Sequence, residues 1–190
     1  MSTIARISTA EFERMIEGRV FDEEVIQPRR IELIYGELRE LMVPPNPPHE
    51  GTVDWLNRWS ILNTDGDKVA VRVQNTLGIP ALDSMPVPDL AWMRANKNYR
   101  RHRPLPEDVL LIIEVSDTSL SYDLKRKAEL YAEAGLTDYW VVDVNALVVH
   151  VHRDPVGNQY QSIEILSIGQ EIRPLADDST LLHLSDLFVQ

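Results

Sequence analysis

No cysteine occurs in the 190 residues of this chain. That absence removes disulfides, thiolate metal sites and cysteine nucleophiles, and leaves any metal to oxygen or nitrogen donors. Long apolar runs are missing too: no segment approaches the roughly 20 residues of a membrane span. The opening MSTIARISTAEFERMIEG carries Glu11, Glu13, Arg14 and Glu17 and does not read as a secretory leader. The expectation is a soluble, cytoplasmic protein with no membrane partner. Positive charge is scarce: Lys and Arg total 19 against 30 Asp and Glu, a formal net charge of -11. That balance is awkward for a nucleic-acid binder, because attraction to phosphates needs a positive field. Repeats and low-complexity tracts are lacking as well. What is present, 44% hydrophobic and 26% charged residues, is the make-up of a folding chain, and the length suits one domain over residues 1–190.

Prolines punctuate the chain at Pro44 to Pro48 and Pro80 to Pro88, which read as loops within that domain. A first helix spans 8–18, capped by Ser8 or Thr9 and stopped at Gly18. Arg30 to Met42 alternates through Ile31, Leu33 and Leu38 around Gly36 and predicts one or two strands. His49 to Asn63 reads as a helix, and Lys68 to Leu77 and Val87 to Met93 as strands. VLLIIEV at Val109 to Val115 is a short aliphatic run typical of a central strand buried on both faces, with Glu114 as its single charge near the end. Tyr122 to Ala134 predicts a helix that turns Leu124, Ala128, Leu130, Tyr131 and Ala134 toward a sheet. Tyr139 to Val144, Ala146 to His152 and a last strand near Tyr160 to Ser167 complete an α/β (α+β) fold, a mixed sheet flanked by helices.

Three residues in this order are candidates for chemistry: Asp89 on one strand, Glu114 at the end of the next, Lys127 on the helix that follows. Hard divalent cations such as Mg2+ take carboxylate oxygens, keep several waters and bind beside substrate phosphates. An ammonium nearby can orient a water and stabilise charge developing at phosphorus. Asp123, Lys127 and Tyr131 share a helix face at i, i+4, i+8, so Lys127 can reach inward; an ordinary surface Asp123–Lys127 pair fits the same spacing. Asp89 also fits a turn after Pro88, whereas a carboxylate ending a buried strand needs a partner, a ligand or solvent. Glu32 and Glu37 fit an exposed strand face, and His49 a helix start. Tyr139 and Trp140 read as core. The local answer to the negative charge is RANKNYRRHR, where Arg94, Lys97, Arg100, Arg101 and Arg103 surround Tyr99 with no acid among them. That loop joins the two carboxylate strands and could hold phosphates beside a metal, or be a solvated loop.

VPDL at Val87 to Leu90, IIEVS at Ile112 to Ser116 and SYDLKRKAELYAEAGLTDYWVVD at Ser121 to Asp143 resemble the PD-(D/E)XK nuclease superfamily, and specifically the Uma-two family of small bacterial proteins classed with restriction endonucleases. IELIYGEL at Ile31 to Leu38, the stretch ending in His49, and the tail GQEIRPLADDSTLLHLSDLF extend the resemblance over nearly the whole chain. It implies a restriction-endonuclease-like core, with Asp89 and Glu114 as ligands of Mg2+ or Mn2+. The superfamily's usual lysine position is Ser116 here. The family's DxxxK pattern is matched by Asp123 and Lys127, its early Glu by Glu32 and its His by His49.

Two readings of different class compete with each other. One is hydrolysis of DNA phosphodiesters, with a homodimer suggested by the symmetry of a duplex substrate. The other is a non-catalytic module that keeps the fold and binds nucleic acid or a protein partner. Carboxylate-pair hydrolysis of a sugar is a third, which gives Lys127 and the basic loop no role.

Overall fold

The computed structural model describes residues 5–21, 31–40, 46–95 and 98–188. Helix α1 (Thr9–Glu17) starts at a reciprocal cap in which the Ser8 hydroxyl and the Glu11 carboxylate serve each other's backbone, and it ends at Gly18. A tight hairpin follows, β1 (Ile31–Ile34) against β2 (Glu37–Glu40), with Glu32 opposite Arg39. Helix α2 (Pro47–Asn63) begins with two prolines in its first turn, where no backbone N–H is needed, and its cap Asn46 accepts from the His49 N–H.

Six strands form the main sheet in the order β3-β4-β5-β6-β7-β8: β3 (Val69–Val73), β4 (Leu90–Arg94), β5 (Val109–Ser116), β6 (Asp138–Asp143), β7 (Val148–Val156) and β8 (Gln159–Ser167). All neighbours are antiparallel except β5 and β6. A parallel pair needs a crossover, and the helical stretch between β5 and β6 supplies it. That stretch runs through α3 (Leu120–Tyr122), a π-helical turn (Asp123–Lys127) and α4 (Ala128–Glu133).

Strand β5 is central, as its composition predicts. Leu111, Ile113 and Val115 face one layer with Val53, Leu56 and Trp59 of α2, and Ile112 faces the other with Leu130 and Tyr131 of α4. Trp59 lies 5.6 Å from Trp92 and 6.4 Å from Trp140, ring centre to ring centre, in the heart of the first layer. Tyr139 and Trp140 are wholly buried, as expected of core. Leu33 of the hairpin packs with Phe12 of α1 and Met85 in a smaller cluster.

Three expectations change. The strand predicted to Leu77 ends at Val73, because Gln74 takes a left-handed backbone (φ 49°). The strand expected from Val87 starts only at Leu90, so Asp89 sits just ahead of it. Nor is the strand at Tyr160 the last. After it come β9 (Glu171–Ile172) paired with β10 (Leu182–His183), then α5 (Leu184–Phe188), which buries Leu184 and Leu187 in the α2 layer. Two-residue strands and a five-residue helix carry too little periodicity to be visible in sequence.

Candidate functional site

Glu114 points off β5 into the layer that holds α4, and its carboxylate is 2% exposed. An unpaired charge there would be prohibitive, so its partners define the site. Lys127 Nζ donates to Glu114 Oε1 at 2.9 Å, and Tyr131 Oη donates to the same oxygen at 2.9 Å. Glu114 Oε2 faces the backbone N–H of Asp89 at 3.4 Å. Asp89 closes the loop: its Oδ2 accepts from the Val115 N–H at 2.9 Å and lies 3.2 Å from His49 Nε2, while Gln74 donates to Oδ1 at 3.4 Å. The two carboxylates therefore stand side by side where β4 begins and β5 ends.

The lysine is drawn in by three acids. Besides Glu114, Lys127 Nζ lies 3.3 Å from Glu32 Oε1 and 3.9 Å from Asp123 Oδ1, with all four side chains 6% exposed or less. The surface Asp123–Lys127 pair that the spacing also allowed is thus not what forms: both residues are interior. Glu32, with an exposed strand face as one explanation, is completely buried, and its Oε1 accepts from the Val87 N–H at 2.8 Å. Asp123 is held by the hydroxyls of Ser116 (2.7 Å) and Ser119 (2.5 Å). The position where the superfamily's lysine would stand thus carries a serine that fixes an acid on the crossover, and the crossover brings its own lysine to Glu114.

Charge sets the protonation. Burial works against an ammonium at Lys127, but Glu114, Glu32, Asp123 and Asp89 together push it well above the ordinary lysine range, so it stays charged. Burial raises Glu114 well above the usual carboxylate range, against the pull of Lys127 and with Asp89, Asp123 and Glu32 adding to the rise. Burial also acts to raise Asp89, yet the His49 hydrogen bond and charge, with Lys127, bring it below the usual range. His49, though partly desolvated, is raised by its contact with Asp89. Four acidic side chains thus surround one ammonium and one imidazole. Glu32 Oε2, His49 Nδ1 and Tyr122 Oη are buried with no hydrogen-bond partner among the described residues, so each has bonding capacity to spare.

The chemistry of the donors suits a hard divalent cation: oxygens, one imidazole, no sulfur, and excess negative charge. No group of three or more His, Asp or Glu side chains among the described residues is arranged to hold an ion unaided. Such a cation would rest on the Asp89 and Glu114 pair, with water and substrate oxygens completing its shell.

The structure brings Asp89, Glu114, Lys127, Glu32, His49 and Asp123 into one cluster. It does not bring the basic loop there. That loop leaves the sheet between the end of β4 and the start of β5, opposite the end that carries Asp89 and Glu114. Its side chains are engaged locally: Arg94 Nε donates to the Glu107 carbonyl at 3.2 Å, Tyr99 Oη to the Arg94 carbonyl at 2.7 Å, and Arg103 Nε to Glu13 at 3.3 Å. Arg100 and Arg101 are exposed, and Lys97 lies outside the described residues. The idea of phosphates held by this loop beside a metal is corrected accordingly. Sequence reasoning also missed Tyr131 as a Glu114 donor, Gln74, the Ser116–Ser119 clamp and Tyr122. Tyr131 had a signal, since it shares the Lys127 face; the others are joined only by folding.

Comparison with known proteins bears on both family and fold. The family model "Uma2: Putative restriction endonuclease" matches residues 10–180. The crystal structure of a "putative nuclease belonging to DUF820" from Anabaena variabilis ATCC 29413 superposes with a TM-score of 0.68 at 14% identity, covering 96% of this chain and 97% of that one. At that identity the likeness establishes the fold. No curated protein matches the chain.

Proposed function

Because the chain belongs to the Uma2 family of restriction-endonuclease-like proteins, we propose that it is a metal-dependent endonuclease that hydrolyses DNA phosphodiester bonds. Asp89 and Glu114 would hold Mg2+ or Mn2+, and Lys127 would be the catalytic cation. The observation that carries the reading is the convergence of these three side chains with Glu32 and Asp123 in one buried cluster of excess negative charge.

A divalent cation bound there supplies charge neutralisation at the phosphate and a water of lowered pKa. The protein's own residues do the rest. Asp89, kept ionised by His49 and Lys127, is aimed by the Val115 N–H. Lys127 and Tyr131 occupy Glu114 Oε1 and lock its rotamer, which leaves Oε2 on the Asp89 side. The Lys127 ammonium, fixed by three carboxylates, is positioned to orient a water and to stabilise charge developing at phosphorus, a preorganised donor that needs no rearrangement during reaction. Ser116 and Ser119 hold Asp123, and through it the lysine.

The test measures Mn2+ binding and cleavage of supercoiled plasmid together. Asp89→Ala and Glu114→Ala each abolish both, and Lys127→Met retains metal binding while kcat falls by about 100-fold or more. Undiminished cleavage by either carboxylate variant would sink the assignment.

One observation favours a second reading, a non-catalytic module of the same fold that binds nucleic acid or a protein: Lys127 and Tyr131 both donate to Glu114 Oε1, so that oxygen is already committed within the protein. No cleavage of any DNA in Mg2+ or Mn2+, with salt-dependent binding retained, would select it.

A further inference from the structure

A cation stands at the rim of the carboxylate cluster. Arg39 of β2 is the register partner of Glu32 of β1, and directly opposed residues of an antiparallel pair project to one face. Glu32 is fully buried on that face and Arg39 is exposed. The Arg39 guanidinium carbon lies 3.7 Å from the centre of the Tyr122 ring, well within the range of a cation–π contact. No carboxylate pairs with Arg39 among the described residues. Stacking therefore fixes the cation without neutralising it, and leaves the N–H groups along the guanidinium edge unspent.

Tyr122 ties this cation to the cluster. It immediately precedes Asp123, its ring is half-buried, and its hydroxyl is enclosed without a hydrogen-bond partner among the described residues. Burial first, and Glu32 next, push its phenol up to about 12, so the ring is neutral and wedged against the acids. A polyanionic strand approaching four acids meets repulsion, and an exposed guanidinium fixed over Tyr122 and opposite Glu32 offsets it. A phosphodiester oxygen pair also matches the fork of an arginine.

We infer that Arg39, seated on the Tyr122 ring, is the subsite for a backbone phosphate of the substrate strand adjacent to the bond cut at Asp89 and Glu114. Arg39 contacts substrate; Tyr122 is a positioning residue. This inference rests on the nuclease reading and fails separately from it.

The experiment uses the full chain and a fluorescein-labelled DNA duplex, with anisotropy in Ca2+ across a salt series and steady-state cleavage in Mg2+. Arg39→Ala is expected to weaken binding and raise KM roughly tenfold with kcat nearly unchanged, and to reduce the slope of log K against log salt by about one. Arg39→Lys recovers the salt slope but only part of the affinity. Tyr122→Phe keeps the stack and so the wild-type KM and salt slope, whereas Tyr122→Leu moves KM in the Arg39→Ala direction. Arg58→Ala, on the exposed side of α2, controls for loss of one charge. A wild type that cleaves, with Arg39→Ala indistinguishable from Arg58→Ala in affinity, KM and salt slope, overturns the subsite and leaves the nuclease standing. An Arg39→Ala variant that loses kcat with KM intact overturns it as well. A wild type that neither binds nor cleaves overturns both.

Discussion

Lys127 is the residue on which the rest of the cluster depends. Removing it leaves Glu114, Glu32 and Asp123 facing one another in an interior that cannot screen them. Lys127→Ala should destabilise the apo protein by about 3–5 kcal/mol, read as a lower midpoint in urea at pH 7. Asp138 is a comparable buried acid away from the site: it accepts from Arg153 and Trp140 at Oδ1 and from the Leu175 N–H at Oδ2. His152, 3% exposed between Tyr139 and Tyr160, gives a pH prediction. Burial holds its pKa below the ordinary value in the folded state, so the unfolded chain binds the extra proton. The neutral ring's stability is fully present above about pH 6.5 and is lost as pH falls from there toward the folded-state value. His152→Phe should flatten the loss of urea stability between neutral and mildly acidic pH; an unchanged slope would show that other groups control it. At this scale the sequence was informative about type. A charge ending an aliphatic strand announces a partner, and Lys127 shares its helical face with Tyr131. It was silent on Tyr122, because nothing local distinguishes a tyrosine that walls an acid cluster from one on a surface.

Two elements set the site's geometry. The β1–β2 hairpin delivers Glu32 and Arg39, and its turn depends on Gly36, whose φ is +77°. A Cβ there would come within 2.9 Å of the Arg6 Cβ and 3.1 Å of the Ile7 carbonyl. Gly36 also donates to the Asp83 carbonyl at 2.8 Å and accepts from the Ile7 N–H at 2.9 Å. Gly36→Ala should therefore displace the hairpin, cost about 1–3 kcal/mol and reduce cleavage more than global unfolding explains, with circular dichroism separating the two. The crossover is the second element. Its composition predicted one plain helix over Tyr122 to Ala134, and the chain instead makes a π-helical turn from Asp123 to Lys127, a feature often found at functional sites. The turn carries the acid and the lysine that Ser116 cannot provide. Helical spacing could place Asp123 and Lys127 on one face, yet could not say that the face is interior. That follows from docking against β5 and β1, which is a contact between segments far apart in sequence.

Over the whole molecule, a net charge of -11 makes any association with DNA weak and salt-sensitive unless cations are concentrated. Arg100 and Arg101 are exposed on a loop rooted at the far end of β4 and β5, so they would touch backbone phosphates away from the cut bond. Replacing both with alanine should weaken binding uniformly across sequences and lower the salt slope by about two, with kcat unchanged at saturating DNA; a fall in kcat at saturation would place the loop at the reaction centre instead. Composition and periodicity by themselves determined the fold class, the central buried strand and the crossover helix, because those depend on local pattern; they marked Glu114 as a charge in need of a partner, while joining it to Asp89 as a pair rested on the family resemblance. Tertiary structure alone decided that Glu32 is an interior acid, that Lys127 meets Glu114 in the interior instead of pairing with Asp123 at the surface, and that the basic loop stands apart from both. Each of those is a question of which distant segments pack together, and packing is settled by the whole core rather than by any stretch of it.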